Sequence, residues 1–181
     1  MPTYIALLRG INVSGQKKVS MADLKKTFED LKFKNVQTYI QSGNVVFECA
    51  QSDSEKLESS IEKKIKKDFG FDVPVIIRTP SELQDILKSN PFLKDPKKDK
   101  DRMYVTFLSK APMTEHIKKL DGISYPPEEF VLKSKTIYFF SPNGYGNAKM
   151  NNNFFENKLK ITATTRNLKT IQQLIEMAHE K

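Results

Sequence analysis

The sequence lacks tryptophan and contains a single cysteine and two histidines among its 181 residues. One thiol cannot form an internal disulfide, so Cys49 is expected to be an inert structural residue. No His or Cys lies at metal-ligand spacing, no apolar run approaches the roughly 20 residues that cross a bilayer, and the N-terminal segment is unlike a signal peptide. These absences predict a cytoplasmic protein with no metal, no cofactor and no membrane partner.

The composition that is present is that of a globular protein. Hydrophobic residues make up 38% and include twelve Phe, charged residues make up 29%, and the net charge is +8. A polyanionic partner must therefore be considered. Acidic residues are interleaved with the basic clusters Lys63–Lys67 and Lys94–Asp101, which favours solvated surfaces over a dedicated nucleic-acid patch.

Apolar runs and helical stripes in the first half predict the order strand, helix, strand, strand, helix, strand. The expected strands are Tyr4–Leu8, Val36–Ile40, Val45–Glu48 and Val73–Arg78. Ser20 and either Asp53 or Ser54 are expected to cap the two helices, and Gly70 to end the second. This order is that of the ferredoxin-like plait, an α+β fold with a mainly antiparallel sheet.

The second half follows a similar order without a clear closing strand. A helix begins at Thr79 and should end before Pro91. Further elements are expected at Arg102–Leu108, Met113–Leu120, Phe130–Leu132 with Thr136–Ser141, around Phe154 and Phe155, and from Leu168 onward. We therefore predict an N-terminal ferredoxin-like unit over residues 1–90, an exposed linker over 91–101 and a C-terminal α+β unit over 102–181.

Three separated segments resemble a known family. They are Leu7–Val13, Gln41–Val45 and Ala163–Asn167, and together, in this order, they resemble the bacterial family called domain of unknown function 1697. The resemblance implies a pair of ferredoxin-like units and brings no established activity. Leu168 stands where members often have tryptophan, so any role of that indole does not transfer.

The first loop, Gly10–Lys18, is similar to a phosphate-binding P-loop but departs from it. Gln16 stands where the phosphate lysine is needed, and no Ser or Thr follows to hold magnesium. A nucleoside triphosphatase is thereby disfavoured. A weaker anion site remains, in which Lys17 and Lys18 act with the helix start after Ser20; the alternative is a tight turn with exposed lysines.

The plait is also the fold of an RNA-recognition module, which stacks bases on aromatic rings of its first and third strands. Here the third strand carries mainly valines. Tyr4 and Phe47 alone do not make a stacking platform, and we expect Phe47 to pack in the core.

The run Thr162–Asn167 is the strongest candidate site because hydroxyl and amide groups crowd before a helix start. Arg166 could hold a carboxylate or phosphate with its planar guanidinium. Alternatively, Arg166 pairs with an acidic side chain of the other half. Asn147 and Lys149 could join either arrangement.

The preferred hypothesis is a protein that binds a small anionic or polar ligand in a cleft between its halves. The residues expected to line it are Arg9, Asn12, Ser42, Gly43, Asn44, Thr165, Arg166 and Asn167. A weak nonspecific nucleic-acid binder and an enzyme without a metal, in which Arg and Asn stabilise charge, are the alternatives. The residues leave open whether the chain catalyses a reaction and whether it forms oligomers.

Overall fold

The computed structural model describes residues 1–180 and contains eight strands and six helices in that range. In chain order they are β1 (Thr3–Leu8), α1 (Met21–Asp30), β2 (Lys34–Tyr39), β3 (Asn44–Glu48), α2 (Ser54–Phe69), β4 (Val75–Arg78), α3 (Pro80–Lys88), β5 (Met103–Leu108), α4 (Thr114–Ile117), β6 (Glu129–Lys133), β7 (Thr136–Phe140), α5 (Asn152–Leu159), β8 (Ala163–Asn167) and α6 (Leu168–His179). They form two compact units. Unit 1 comprises Met1–Gln84 with the C-terminal residues from Gln172, and unit 2 comprises Asp85–Ile171.

Unit 1 is a ferredoxin-like plait. Its antiparallel sheet has the strand order β2-β3-β1-β4, and the apolar stripes of α1 and α2 cover one face. Ser20 Oγ accepts from Asp23 N, Asp53 caps α2, and Gly70 ends α2 in the left-handed conformation. The predicted helix caps and the predicted end of α2 are therefore confirmed. Such features can be predicted from sequence because each depends on residues within one turn of the helix end.

Unit 2 repeats this arrangement with the strand order β6-β7-β5-β8, also fully antiparallel. The expectation that the second half has no closing strand was wrong, because all of Ala163–Asn167 pairs with β5 as the strand β8. Its polar sequence concealed it. Threonine is β-branched and suits a strand, and the polar groups of β8 find hydrogen-bond partners within the unit.

The central strands β1 and β5 pair with their neighbours in the same register in the two sheets. Ile5 lies opposite Arg78 on β1 and β4, and Val105 lies opposite Arg166 on β5 and β8. Arg166 is therefore the structural counterpart of Arg78. Both arginines are buried, with 7% and 2% of their surface exposed, and each directly precedes the residue that caps the next helix.

Acidic side chains of the helices protect the backbone of both edge strands β4 and β8. Glu58 accepts a hydrogen bond from Ile77 N at 2.9 Å, and Glu62 accepts from Val75 N at 2.9 Å. In unit 2, Glu156 accepts from Ala163 N at 3.0 Å. These bonds occupy N–H groups that an edge strand would otherwise present to another chain. Burial raises the pKa of Glu58.

Residues Gln41–Asn44 are expected to form the turn between β2 and β3, because Gly43 and Asn44 both tolerate a positive φ. Gly43 has a positive φ of 90°, as expected, but Asn44 is the fully buried first residue of β3. The other positive φ of the turn, 50°, belongs to Ile40, which was expected to lie in the preceding strand. The turn therefore places an unusual residue in a left-handed conformation.

Residues 91–101 contain two short 3₁₀ turns and lie within the compact range of unit 2. Phe92 is buried, and its ring lies 6.1 Å from that of Phe140. Lys98 forms ion pairs with Asp95 at 3.2 Å and Glu129 at 2.8 Å. These contacts attach the segment to β6 and β7.

Candidate functional site

The loop between β1 and α1 is a small hairpin of its own. Gln16 N donates to Val13 O at 2.9 Å, and Asn12 N donates to Lys17 O at 3.1 Å. Ser14 and Gly15 at the tip have φ of 51° and 74°, which is the signature of a two-residue type I′ turn. The glycine-containing loop expected from the sequence is thus a hydrogen-bonded hairpin.

Asn12 fastens this hairpin to the rest of the unit. Its side-chain amide donates to Val19 O at 2.9 Å and to Gln41 O at 2.8 Å, while its carbonyl oxygen accepts from Val19 N at 2.9 Å. One side chain thereby joins both ends of the loop to the β2–β3 turn. Asn12 is a clamp whose polar atoms are committed to the backbone.

The turn residues of the candidate set shape the same region. The Asn44 amide donates to Tyr39 O at 2.9 Å and to Ser42 Oγ at 3.0 Å. A Cβ on Gly43 would lie 2.7 Å from Ile11 Cδ1 and 2.9 Å from Leu8 Cβ. The glycine is required because the turn passes directly over the first strand and loop.

We call residues 9–20, 40–43 and 70–74 the loop end of unit 1. The loop 9–20 carries Arg9, Lys17 and Lys18 and no acidic residue. The Lys17 ammonium donates to Asp72 O at 2.6 Å, and Lys66 forms an ion pair with Asp72 Oδ2 at 3.3 Å. Arg9 is half-buried, and its backbone N–H donates to Pro74 O at 2.9 Å. The loop end thus combines positive charge with a backbone held at several points.

The C-terminal candidates lie on β8, within unit 2. The Thr165 hydroxyl donates to Asn152 Oδ1 at 2.6 Å and lies 2.8 Å from the Thr106 hydroxyl. Because the one hydroxyl hydrogen of Thr165 is used on Asn152, Thr106 must be the donor to Thr165. The three side chains form a directed chain between the sheet and the start of α5.

Arg166 and Asn167 follow in the same strand. Arg166 Nη1 donates to Thr164 Oγ1 at 2.8 Å and to Thr165 O at 2.9 Å. Asn167 Oδ1 accepts from Thr170 N at 2.8 Å and so caps α6, which confirms the helix start expected there. Arg166 is a buried, hydrogen-bonded group rather than a mobile surface side chain.

The secondary candidates Asn147 and Lys149 lie on the loop before α5. The Asn147 amide donates to Asn143 O at 3.1 Å. The Lys149 backbone N–H donates to Glu128, and its ammonium lies 5.4 Å from the Tyr125 ring centre. Both have partners in their own loop neighbourhood.

The two groups of candidates occupy non-equivalent ends of two equivalent sheets. The N-terminal group lies beyond the C-terminal end of β1, whereas Asn167 lies opposite Tyr104, near the N-terminal end of β5. The counterparts of the loop end in unit 2 are the shorter segments 109–113, 134–135 and 160–162. The loop end is therefore an elaboration specific to unit 1.

Sequence reasoning missed three residues of the loop end: Val13 and Ile40, which are exposed, and Asp72, which positions Lys17. The one indication in the sequence is that each of the three lies at or after the end of a predicted strand or helix, and so in or next to a loop. Among residues 1–180, no cluster of His, Cys, Asp and Glu could hold a metal ion, and no helix is both long and apolar enough to span a membrane.

The fold and the loop end define a protein of two ferredoxin-like α+β units with an elaborated first loop. The chain belongs to the family described as "Protein of unknown function (DUF1697)", whose model matches residues 1–138. That match includes the segments around Arg9 and Gly43 and ends before β8.

A solved structure has a similar fold over nearly the whole chain. It is that of the conserved bacterial protein SP0830 from Streptococcus pneumoniae, with a TM-score of 0.74 and 21% sequence identity, covering 97% of this chain and 98% of that chain. At this identity the likeness establishes the shared fold. No curated protein matches the chain.

Proposed function

We propose that the protein binds a small anionic ligand, a carboxylate or a phosphate, at the loop end of unit 1. The observation that carries the proposal is the loop 9–20. All of its charged residues are basic, and Asn12 clamps it to the rest of the unit. A clamped loop presents its charges without the entropy loss that a mobile loop suffers on binding.

Lys17 and Lys18 are the residues that would contact the anion. The Lys17 ammonium is already positioned by the backbone carbonyl of Asp72 at 2.6 Å. A lysine in this geometry has two further N–H donors to offer a ligand. The adjacent start of α1 adds a partial positive charge.

The test is thermal unfolding in a panel of inorganic phosphate, citrate and chloride at constant ionic strength. An anion at about 100 times its dissociation constant should stabilise the wild-type protein by about 2.7 kcal/mol. The double variant Lys17→Gln with Lys18→Gln should lose this stabilisation.

The matched control is Lys118→Gln with Lys119→Gln, which removes two adjacent exposed lysines from unit 2. This control should keep the anion-induced stabilisation. The proposal is wrong if phosphate and citrate stabilise no more than chloride does, or if both double variants lose the effect equally.

A further inference from the structure

Two of the exposed large hydrophobic residues belong to the loop end of unit 1. Val13 is 57% exposed and Ile40 is 47% exposed. Val13 follows Asn12, and Ile40 precedes Gln41, whose carbonyl accepts the Asn12 amide. The clamp that orders the loop therefore also fixes two apolar side chains in solvent.

Ile40 is unusual in its backbone as well as in its exposure. It has a φ of 50°, a left-handed conformation that β-branched residues rarely adopt and that Asn or Gly adopts readily. An exposed Ile in this position contributes little to the core. Strain of this kind concentrates at functional sites, where a particular side chain is needed.

The surroundings hold both residues rigidly. The β2–β3 turn is closed by the buried Asn44 and passes over Ile11 through Gly43, and the hairpin 13–16 is closed by its own hydrogen bond. Lys17 and Lys18 lie on the same loop as Val13, and no acidic residue occurs in residues 9–20. The exposed carboxylate of Asp72, in residues 70–74, pairs with Lys66 at 3.3 Å. The loop end therefore combines fixed apolar points with the two lysines of the loop 9–20.

We infer that the loop end of unit 1 docks an acidic segment of a partner protein, whose apolar side chains contact Val13 and Ile40 and whose carboxylates pair with Lys17 and Lys18. This inference rests on the proposed function, since the bound anion is then a carboxylate of the partner. Charge complementarity selects an acidic partner. Aliphatic side chains suit protein contacts, whereas nucleic acids are held by flat rings that stack on bases.

The experiment compares two fluorescent peptides of equal length and charge, one alternating Glu with Leu and one alternating Glu with Ser. Wild-type protein should bind the Glu–Leu peptide about tenfold more tightly, as burial of a few apolar groups allows. Val13→Ser combined with Ile40→Asn should abolish this preference.

Ile40→Asn by itself separates binding from folding. Because Asn tolerates the left-handed conformation, this variant should melt at a higher temperature than the wild type while binding the Glu–Leu peptide more weakly. Met113→Ser is the control, since Met113 is 60% exposed in unit 2, and it should leave the preference unchanged.

Equal affinity for the two peptides, or a preference that survives the Val13 and Ile40 substitutions, would overturn the inference. Tighter binding of a single-stranded oligonucleotide than of either peptide, or concentration-dependent self-association lost in the double variant, would also overturn it. If the Lys17 and Lys18 substitutions still remove anion stabilisation in these cases, the proposed function stands and only the acidic partner is wrong.

Discussion

Two asparagine side chains shape the loop end of unit 1. Asn12 spans the loop and the β2–β3 turn, and Asn44 closes that turn from inside the sheet. An amide offers both donors and acceptors, so one side chain can satisfy several backbone groups at once. Each side chain therefore holds part of the loop end in place, Asn12 the loop 9–20 and Asn44 the β2–β3 turn.

Gly43 allows a direct test of this close packing. Gly43→Ala would force a left-handed alanine whose Cβ lies 2.7 Å from Ile11 Cδ1, and we expect a loss of about 2–4 kcal/mol in the free energy of unfolding. Gly15 also has a left-handed φ, of 74°, but a Cβ added there would have no atom within 4 Å. Gly15→Ala should therefore reduce the free energy of unfolding by only about 1 kcal/mol. Urea unfolding of both variants measures the difference, and equal costs would mean that the contact with Ile11 relaxes freely.

At the scale of elements, unit 2 has a pair of threonines on neighbouring strands where unit 1 has a pair of apolar residues. Thr106 and Thr165 occupy the pairing positions of Ala6 and Ile77. A buried hydroxyl is tolerated only when it is hydrogen-bonded. The chain from Thr106 to Asn152 satisfies this condition and orients the start of α5.

The direction of this hydroxyl chain predicts unequal effects of two similar substitutions. Thr165→Val removes the donor to Asn152 and the acceptor of Thr106, and we expect it to cost about 1–3 kcal/mol. Thr106→Val leaves the bond from Thr165 to Asn152 intact and should cost less than about 1 kcal/mol. The measurement is the denaturant concentration at the unfolding midpoint, compared between variants whose dependence of free energy on denaturant is unchanged. Equal losses of stability in the two variants would contradict the direction assigned to the hydrogen bond between Thr106 and Thr165.

The contact between α1 and α2 predicts a dependence of stability on pH. The Lys64 ammonium at 2.8 Å, together with the Thr27 hydroxyl, lowers the pKa of Asp68 below its ordinary 3.8. A carboxyl whose folded pKa is depressed stabilises the fold above its unfolded pKa and loses that contribution as the pH falls through the folded pKa. Unfolding measured from about pH 5 downward should therefore show a steeper loss in the wild type than in Asp68→Asn.

The exposed Asp85→Asn serves as the control for that series, because it removes the same charge from α3. Its stability curve should run parallel to that of the wild type. A parallel curve for Asp68→Asn as well would show that the bond to Lys64 contributes nothing to the acid response.

At the scale of the whole molecule, the net charge of +8 raises the question of nucleic acid. In unit 1 the sheet face that points away from α1 and α2 carries Ile5, Leu7 and Val46, all fully buried. Phe47 points to the opposite face and packs in the core, with its ring 4.7 Å from that of Phe33. An RNA-recognition module needs exposed rings on its sheet, so any nucleic acid would have to contact loops and helices.

We therefore expect nucleic-acid binding to be weak, independent of sequence and steeply reduced by salt, since phosphate contacts release counterions. Fluorescence anisotropy of random oligonucleotides over a salt series is the measurement. Sequence-selective nanomolar binding at physiological salt would show this expectation to be wrong.

Local signals in the sequence were sufficient for most of the fold. The helix limits at Ser20, Asp53 and Gly70 and the strand order of unit 1 followed from caps, turns and hydrophobic periods, which are determined by residues close in the chain. β8 was missed because its sequence, with two threonines, an arginine and an asparagine, has no apolar period. Only its pairing with β5 and its hydrogen bonds to Thr106 and Asn152 identify it as a strand.

The amino-acid sequence by itself determined the plait, the resemblance of its motifs and the basic character of the first loop. The tertiary structure decided what the polar residues of those motifs do. Asn12 becomes a clamp because Gln41, far away in sequence, comes within hydrogen-bond distance of it, and Arg166 becomes the counterpart of Arg78 because two sheets share one register. Such roles depend on contacts between distant residues, which exist only once the strands have paired.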